Sequence, residues 1–226
     1  METTPLAPGF YDRPVLEVAR GLLGCVVTSR AEGGTVGVRL TEVEAYAGEA
    51  DPGSHAWRGR TRRNSVMFGP PGRAYVYFTY GMHWCVNLVC GPEGTASAVL
   101  LRAGEVVSGL ELARWRRPGA RSGRDLARGP ARLARSLGVT GAMDGADTTT
   151  TSSPLWVGAP GGRRAGRVEA GPRVGLSRAA DRPWRFWLAG EPSVSPYRAH
   201  TPRRPRTERS GTLDRDRPGP GGDPPP

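Results

Sequence analysis

The sequence contains no lysine, so its 32 Lys+Arg residues are all arginine, set against 21 Asp+Glu for a formal charge of +11. Covalent catalysis through a lysine Schiff base is thereby excluded, and arginine cannot substitute because its guanidinium stays protonated. Only the N-terminal amine remains, on a segment expected to be mobile. Cysteine is nearly as scarce. Cys25, Cys85 and Cys90 are odd in number, lie in apolar strand-like runs, and show neither C-x-x-C nor the His spacing of a zinc site. Free core thiols in a reducing compartment are expected, with no disulfide framework and no metal site. No run approaches the roughly 20 apolar residues that cross a bilayer, and no basic stretch followed by an apolar one opens the chain. The expectation is a cytoplasmic protein without membrane attachment.

What is present suits one domain of 226 residues with a real core. The excess of Arg, Gly and Pro partly reflects a GC-rich coding sequence, so the place of the charge matters more than its sum. From Ala199 onward six Arg face four acids, which leaves +9 on the remainder, as suits a phosphate-contacting surface. Residues 1–10 read as a flexible lead-in, 11–198 as the folded domain, and 199–226 as a disordered tail too rich in Pro, Arg and Gly to bury a core. Pro14 opens and Gly24 closes an amphipathic helical stretch. Strands over Val26 to Ser29 and Gly37 to Tyr46 pair across Glu32-Gly33-Gly34. A long loop, Ala47 to Arg73, precedes a hairpin, and a strand follows over Ala98 to Val107. Helices are expected over Leu110 to Arg117 and Pro130 to Leu137, then an irregular surface excursion over Met143 to Pro172, and a last strand from Trp184 to Ala189. The sum is an α+β chain with an antiparallel beginning.

Two β-patterned runs concentrate the chemistry. Even-numbered positions pass from Val36, Val38 and Leu40 to Glu42, Glu44 and Tyr46, so one face of a period-2 strand turns from apolar to acidic and aromatic. The second run, Ala74 to Tyr80, meets His83 to Cys90 across Gly81-Met82, which reads as a hairpin with Gly at the first central turn position. Tyr80 and Met82 then stand at an exposed tip, where bulky side chains suit a wedge between stacked bases as well as an ordinary surface loop. Alone, Glu44 is an ordinary surface or ion-paired carboxylate, Tyr46, His55 and Tyr77 are half-buried filler, and Arg102 is a sheet-edge charge. Together, one carboxylate and several electron-rich rings beside Arg58, Arg60, Arg62 and Arg63 suit an enzyme that takes a base out of nucleic acid and cuts its bond to sugar.

The runs VEAYAGEADPGSH, MFGPPGRAYVYFTYGMHWCVN and VLLRAGEVVSGLE resemble the alkyladenine, or 3-methyladenine, DNA glycosylase family. So do the helix ending at Leu22 to Gly24, ARGPARLARSLGV, and PRVGLSRAADRPWRFWLAGEPSVS, in the family's order up to about Tyr197. The resemblance implies a single compact α+β domain: a curved, open-barrel-like antiparallel sheet with surrounding helices and a protruding hairpin. It further implies a monomer acting on double-stranded DNA with damaged purines, near the nucleoid, without cofactor.

By the same resemblance Tyr80 is the intercalating residue, with Met82 beside it, and the extruded base sits between Tyr46 on one side and His55 with Tyr77 on the other. Glu44 is the general base on a water, oriented by Arg102 and the backbone carbonyl of Val174. Asn87 lies at the pocket floor as a guard against guanine. As a buried Asn among apolar neighbours, it could equally serve only to bond backbone. His83-Trp84 departs from the family's usual aromatics. A zinc deaminase is excluded because P-C-x-x-C is absent. The rival from another class is a non-catalytic damage-sensing DNA binder in which Glu44 is structural.

Overall fold

The computed structural model describes residues 4–79, 81–159 and 166–201. Among them the elements run α1 (Pro8–Tyr11), α2 (Val15–Leu22), β1 (Val26–Ala31), β2 (Gly34–Ala47), β3 (Ala74–Thr79), β4 (His83–Cys90), β5 (Ser97–Ser108), α3 (Leu110–Arg116), α4 (Pro130–Leu137), β6 (Leu155–Gly158), β7 (Val168–Gly171) and β8 (Arg185–Leu188). The strands join one antiparallel sheet in the order β3-β4-β5-β2-β1-β6; β8 lies on β2 and β7 on β8. It curls into a half-barrel with helices packed on it, an α+β domain. No helix among the described residues is long and apolar enough to cross a membrane.

Local rules account for most elements. In α2 the apolar residues Val15, Val18, Ala19 and Leu22 recur at helical spacing and are buried, with Pro14 at the N-cap and Leu23 and Gly24 leading out. In α4 Pro130 takes the first helical position, and Gly138 closes the helix in the left-handed region at φ 72°. Strands β1 and β2 form a hairpin with Ala31 opposite Gly34, so only Glu32 and Gly33 remain for the turn.

The long strand β2 is the spine. Strand β5 flanks it from Gly37 to Ala47, while on the other edge β1 covers the first half and β8 meets Glu42 to Glu44. The pairing of β2 with β5 carries three irregularities: a register shift between Gly37 and Val38, followed by two opposed bulges. Leu40 faces Gly104 and Glu42 faces Ala103, so Thr41 is the extra residue on β2; Val43 then faces Leu101, so Arg102 is the extra residue on β5. The first bulge changes the phase of the alternation. Val36, Val38 and Leu40 enter the main core before it, and Val43 and Ala45 after it. Glu42, Glu44 and Tyr46 therefore do not continue the apolar face, as simple alternation predicts, but point away from that core.

Three other expectations change. The stretch 143–172, expected as a surface excursion, supplies β6 and β7. β6 pairs with β1, and Leu155 and Val157 are fully buried, each such side chain contributing about 1.5–3 kcal/mol. Within the lead-in expected to be flexible, Leu6 donates a backbone hydrogen bond to Val157, Pro5 bridges Gly158, and α1 begins at Pro8. At the hairpin tip Thr79 faces His83, and the Met82 N–H bonds Thr79. Gly81, at φ 67°, thus takes the second central position of the turn, not the first. Tyr80 and the tail beyond residue 201 lie outside the described residues.

Candidate active site

The face of the sheet turned away from the main core forms one wall of a cavity of about 420 Å³. Alternation on four strands supplies this wall: Glu44 and Tyr46 from β2, Tyr75 and Tyr77 from β3, Cys85 and Asn87 from β4, and Leu100 and Arg102 from β5. His55 and Val174 join from loops. Seven of the site residues expected from sequence thus meet in one place: Glu44, Tyr46, His55, Tyr77, Asn87, Arg102 and Val174. Met82 does not line this cavity; it stands at the hairpin tip, 65% exposed.

Glu44 is fully buried and tightly held. Its Oε1 accepts the Val174 N–H at 2.7 Å and lies 3.2 Å from Arg102 Nη1, while its Oε2 accepts the Tyr46 hydroxyl at 2.8 Å. The backbone group of Val174 that reaches Glu44 is thus its N–H. A carboxylate oxygen has two lone pairs, so Oε2 retains acceptor capacity toward the cavity. Arg102 reaches this position because it is the bulged residue of β5, which aims its guanidinium at β2.

Glu42, two residues earlier on the same face, anchors the arrangement. It accepts hydrogen bonds from Arg102 Nε at 2.8 Å, Arg185 Nε at 2.7 Å and the Ser195 N–H at 2.7 Å. Burial pushes its carboxyl upward, but the charges of Arg102 and Arg185 and the donors from Arg185 and Ser195 outweigh this and hold it below its ordinary value. Arg102 moves the opposite way: burial lowers its guanidinium, and Glu44 and Glu42 more than restore it. The bridge stays ionised at neutral pH.

The aromatic wall has its own supports. Tyr75 and Tyr77 stack with centroids 5.4 Å apart, and His55 meets Tyr77 edge-on at 4.6 Å. The His55 Nδ1 lies 3.1 Å from the Tyr75 hydroxyl. His55 sits on an irregular loop held by Asn64, whose Nδ2 donates to the carbonyls of His55 and Gly59. His55 keeps an exposed surface, yet packing round its ring, and then the charge of Arg63, lowers its affinity for a proton below the ordinary 6.5. It is mainly neutral at pH 7. Burial raises the phenols of Tyr46, Tyr77 and Tyr75, the last to about 12. The wall is uncharged and electron-rich, which suits a cationic or polarised planar ligand.

Sequence reasoning missed Arg173. It is fully buried, donates to both oxygens of Asp51 and to the Ala45 carbonyl, and its guanidinium lies 4.7 Å over the Tyr46 ring. It does not line the cavity, so it backs Tyr46 and ties the loop carrying His55 to β2. Its one local signal is that it adjoins Val174 in PRVG, which does not identify Asp51 as its partner. Arg185 and Ser195, the partners of Glu42, were also missed, because they reach it from 143 and 153 residues away. Among the described residues no three His, Cys, Asp or Glu side chains gather as round a metal ion.

Residues 9–192 match the family model described as methylpurine-DNA glycosylase. A protein of Streptomyces avermitilis is 57% identical over 208 residues, covering 91% of this chain and 98% of its own. One from Frankia casuarinae is 57% identical over 207 residues, covering 87% and 94%. One from Burkholderia lata is 47% identical over 190 residues, covering 84% and 90%. Each carries the provisional name 3-methyladenine DNA glycosylase.

Proposed function

Because the chain belongs to the methylpurine-DNA glycosylase family, we propose that it flips alkylated or deaminated purines out of duplex DNA and hydrolyses their N-glycosidic bond without cutting the strand. Its substrates are of the 3-methyladenine, 7-methylguanine, hypoxanthine and ethenoadenine class. The observation that carries this reading is Glu44: a fully buried carboxylate, held by two hydrogen bonds and the ion pair with Arg102, facing a cavity walled by Tyr46, His55 and Tyr77.

The extruded base lies between Tyr46 and the His55–Tyr77 pair. A base made cationic by alkylation gains about 0.5–2 kcal/mol per aromatic contact, which a normal purine lacks. Oε2 of Glu44 accepts a proton from a water that attacks the anomeric carbon. The bond to the base breaks with its electron pair leaving on the base, and the carboxylate's negative charge favours the oxocarbenium-like transition state. Arg102 orients Glu44 from the sheet side. Val174 holds it from the loop through its N–H, and its carbonyl helps position the water. Tyr80 fills the gap left in the duplex, with Met82 beside it. The protein acts as a monomer in the cytoplasm, at the nucleoid.

Glu44→Gln keeps the shape but loses the basic oxygen. In single-turnover assays on a 3-methyladenine duplex, excision is expected to fall by about 10²- to 10⁴-fold, with lesion binding retained. A near wild-type rate would remove Glu44 from the role. Loss of binding and excision together, in a folded variant, would favour a structural Glu44.

A further inference from the structure

A second cavity, about 820 Å³, opens beside the first and shares His83 and Ala131 with it. It runs from the hairpin, at Met82 and Trp84, to Trp115 and Pro118 at the end of α3 and Arg135 on α4. Trp115 is 69% exposed and Met82 65%. α3 buries Ala113 and Arg116 and leaves this indole outside, although burying it would remove a large apolar area from water. Trp115 and Met82 line one groove together with Trp84, and contiguous apolar surface rimmed by polar residues marks interaction sites.

The charge around it is positive in excess, with Glu32 the one acid on its lining. A third cavity, about 270 Å³, shares Pro118 with the groove and is lined by Arg114, Arg117 and Arg121. Arg114 pairs with Glu111, and the Arg116 guanidinium is engaged by the carbonyls of Glu32 and Ser136. Among the described residues Arg117, Arg121, Arg132 and Arg135 make no ion pair, and the Arg117 Nε is buried without a partner. Burial, then the charges of Arg132 and Arg135, lower the Arg117 guanidinium below its ordinary range; Asp125 opposes this only in part. Such a cluster calls for an anion from outside the protein.

We propose that this groove is a single-stranded DNA subsite: an unstacked base lies on Trp115, and its flanking phosphates lie on Arg117, Arg121 and Arg135. A stacking ring beside a track of arginines is the chemistry that binds single strands without sequence preference. The groove adjoins the base pocket at His83 and Ala131, so the occupant is the DNA that the pocket serves; this step and the lesion preference that follows from it rest on the glycosylase reading. The chain then engages lesions flanked by unpaired nucleotides better than lesions in perfect duplex.

Two end-labelled probes test this on the full chain by fluorescence anisotropy: an oligothymidylate of about eight nucleotides, and a tetrahydrofuran abasic oligomer of equal length and charge. The wild type is expected to prefer the probe with bases. Trp115→Ala should lose that preference by roughly tenfold, and Trp115→Phe should keep most of it. Arg121→Ser combined with Arg135→Ser should weaken both probes alike and flatten the salt dependence. If Trp115→Ala binds both probes as the wild type does, or loses equally on both, the subsite is overturned. Excision from a lesion duplex, measured on the same preparations, judges the glycosylase reading separately, because neither probe carries a purine that the pocket could release.

Discussion

Asn87 holds the strand and borders the pocket, and substitution can separate the two duties. Its Nδ2 donates to the Tyr75 carbonyl at 3.1 Å while the residue is 5% exposed. Replacing it with Ser or Gly removes a hydrogen bond worth about 1 kcal/mol, too little to unfold a domain of ordinary stability. If a flipped guanine places its 2-amino group against Asn87, the substitution also clears that space, and discrimination by a clash is lost more easily than discrimination by a contact. Asn87→Ser is therefore expected to fold and to raise release of 7-methylguanine relative to 3-methyladenine. Thermal melting and paired excision assays check this. Unfolding would make Asn87 a strand anchor, and an unchanged ratio in a folded variant would end the gatekeeper role.

At the scale of elements, the opposed bulges of β2 and β5 bring the acids and Arg102 together, and Gly104 makes their close approach possible. A Cβ built on Gly104 would run into the Arg39 carbonyl oxygen and Val38 Cγ1. Backbone cannot yield as a flexible side chain can, so Gly104→Ala should destabilise the protein by about 1–3 kcal/mol. Excision should fall beyond what the loss of folded protein explains, because the register that aims Arg102 is disturbed. Denaturant melts with activity normalised to folded fraction measure both, and an unchanged midpoint would show that the strands can part there without cost.

The whole molecule is basic, yet its buried acids set its response to pH. Glu42 and Asp51 are both held below their ordinary values, 4.5 and 3.8, through their arginine partners. A carboxyl whose folded value is depressed contributes stability that is present above the unfolded value and lost as pH falls through the folded one. Their contribution should thus be level above about pH 4.5 and decline below it, read from urea midpoints across acid pH. Stability that rose on acidification through that window would contradict the ion-paired arrangement. Composition makes the other molecular prediction. With no lysine in the chain, the purified protein should leave intact strands at abasic sites until alkali is added, and borohydride should trap no covalent complex. A trapped adduct would implicate the N-terminal amine.

By itself the sequence determined the elements whose rules are local. The helices opened by Pro14 and Pro130 could be read from residues a few positions apart, as could the hairpin around Gly81 and the motifs carrying Glu44, Tyr46, His55, Tyr77, Asn87 and Arg102. Tertiary structure decided the rest. Alternation along β2 pointed to one continuous face, but the bulge at Thr41 reverses it, and bulges belong to the pairing of two strands rather than to either sequence. Leu155 to Gly158 looked like loop because a four-residue strand has no periodicity of its own and exists only by pairing with β1. Arg173 and Asp51 lie 122 residues apart in the chain. Nothing local marks them as partners, because a buried charge is stabilised by whichever opposite charge the fold delivers to it.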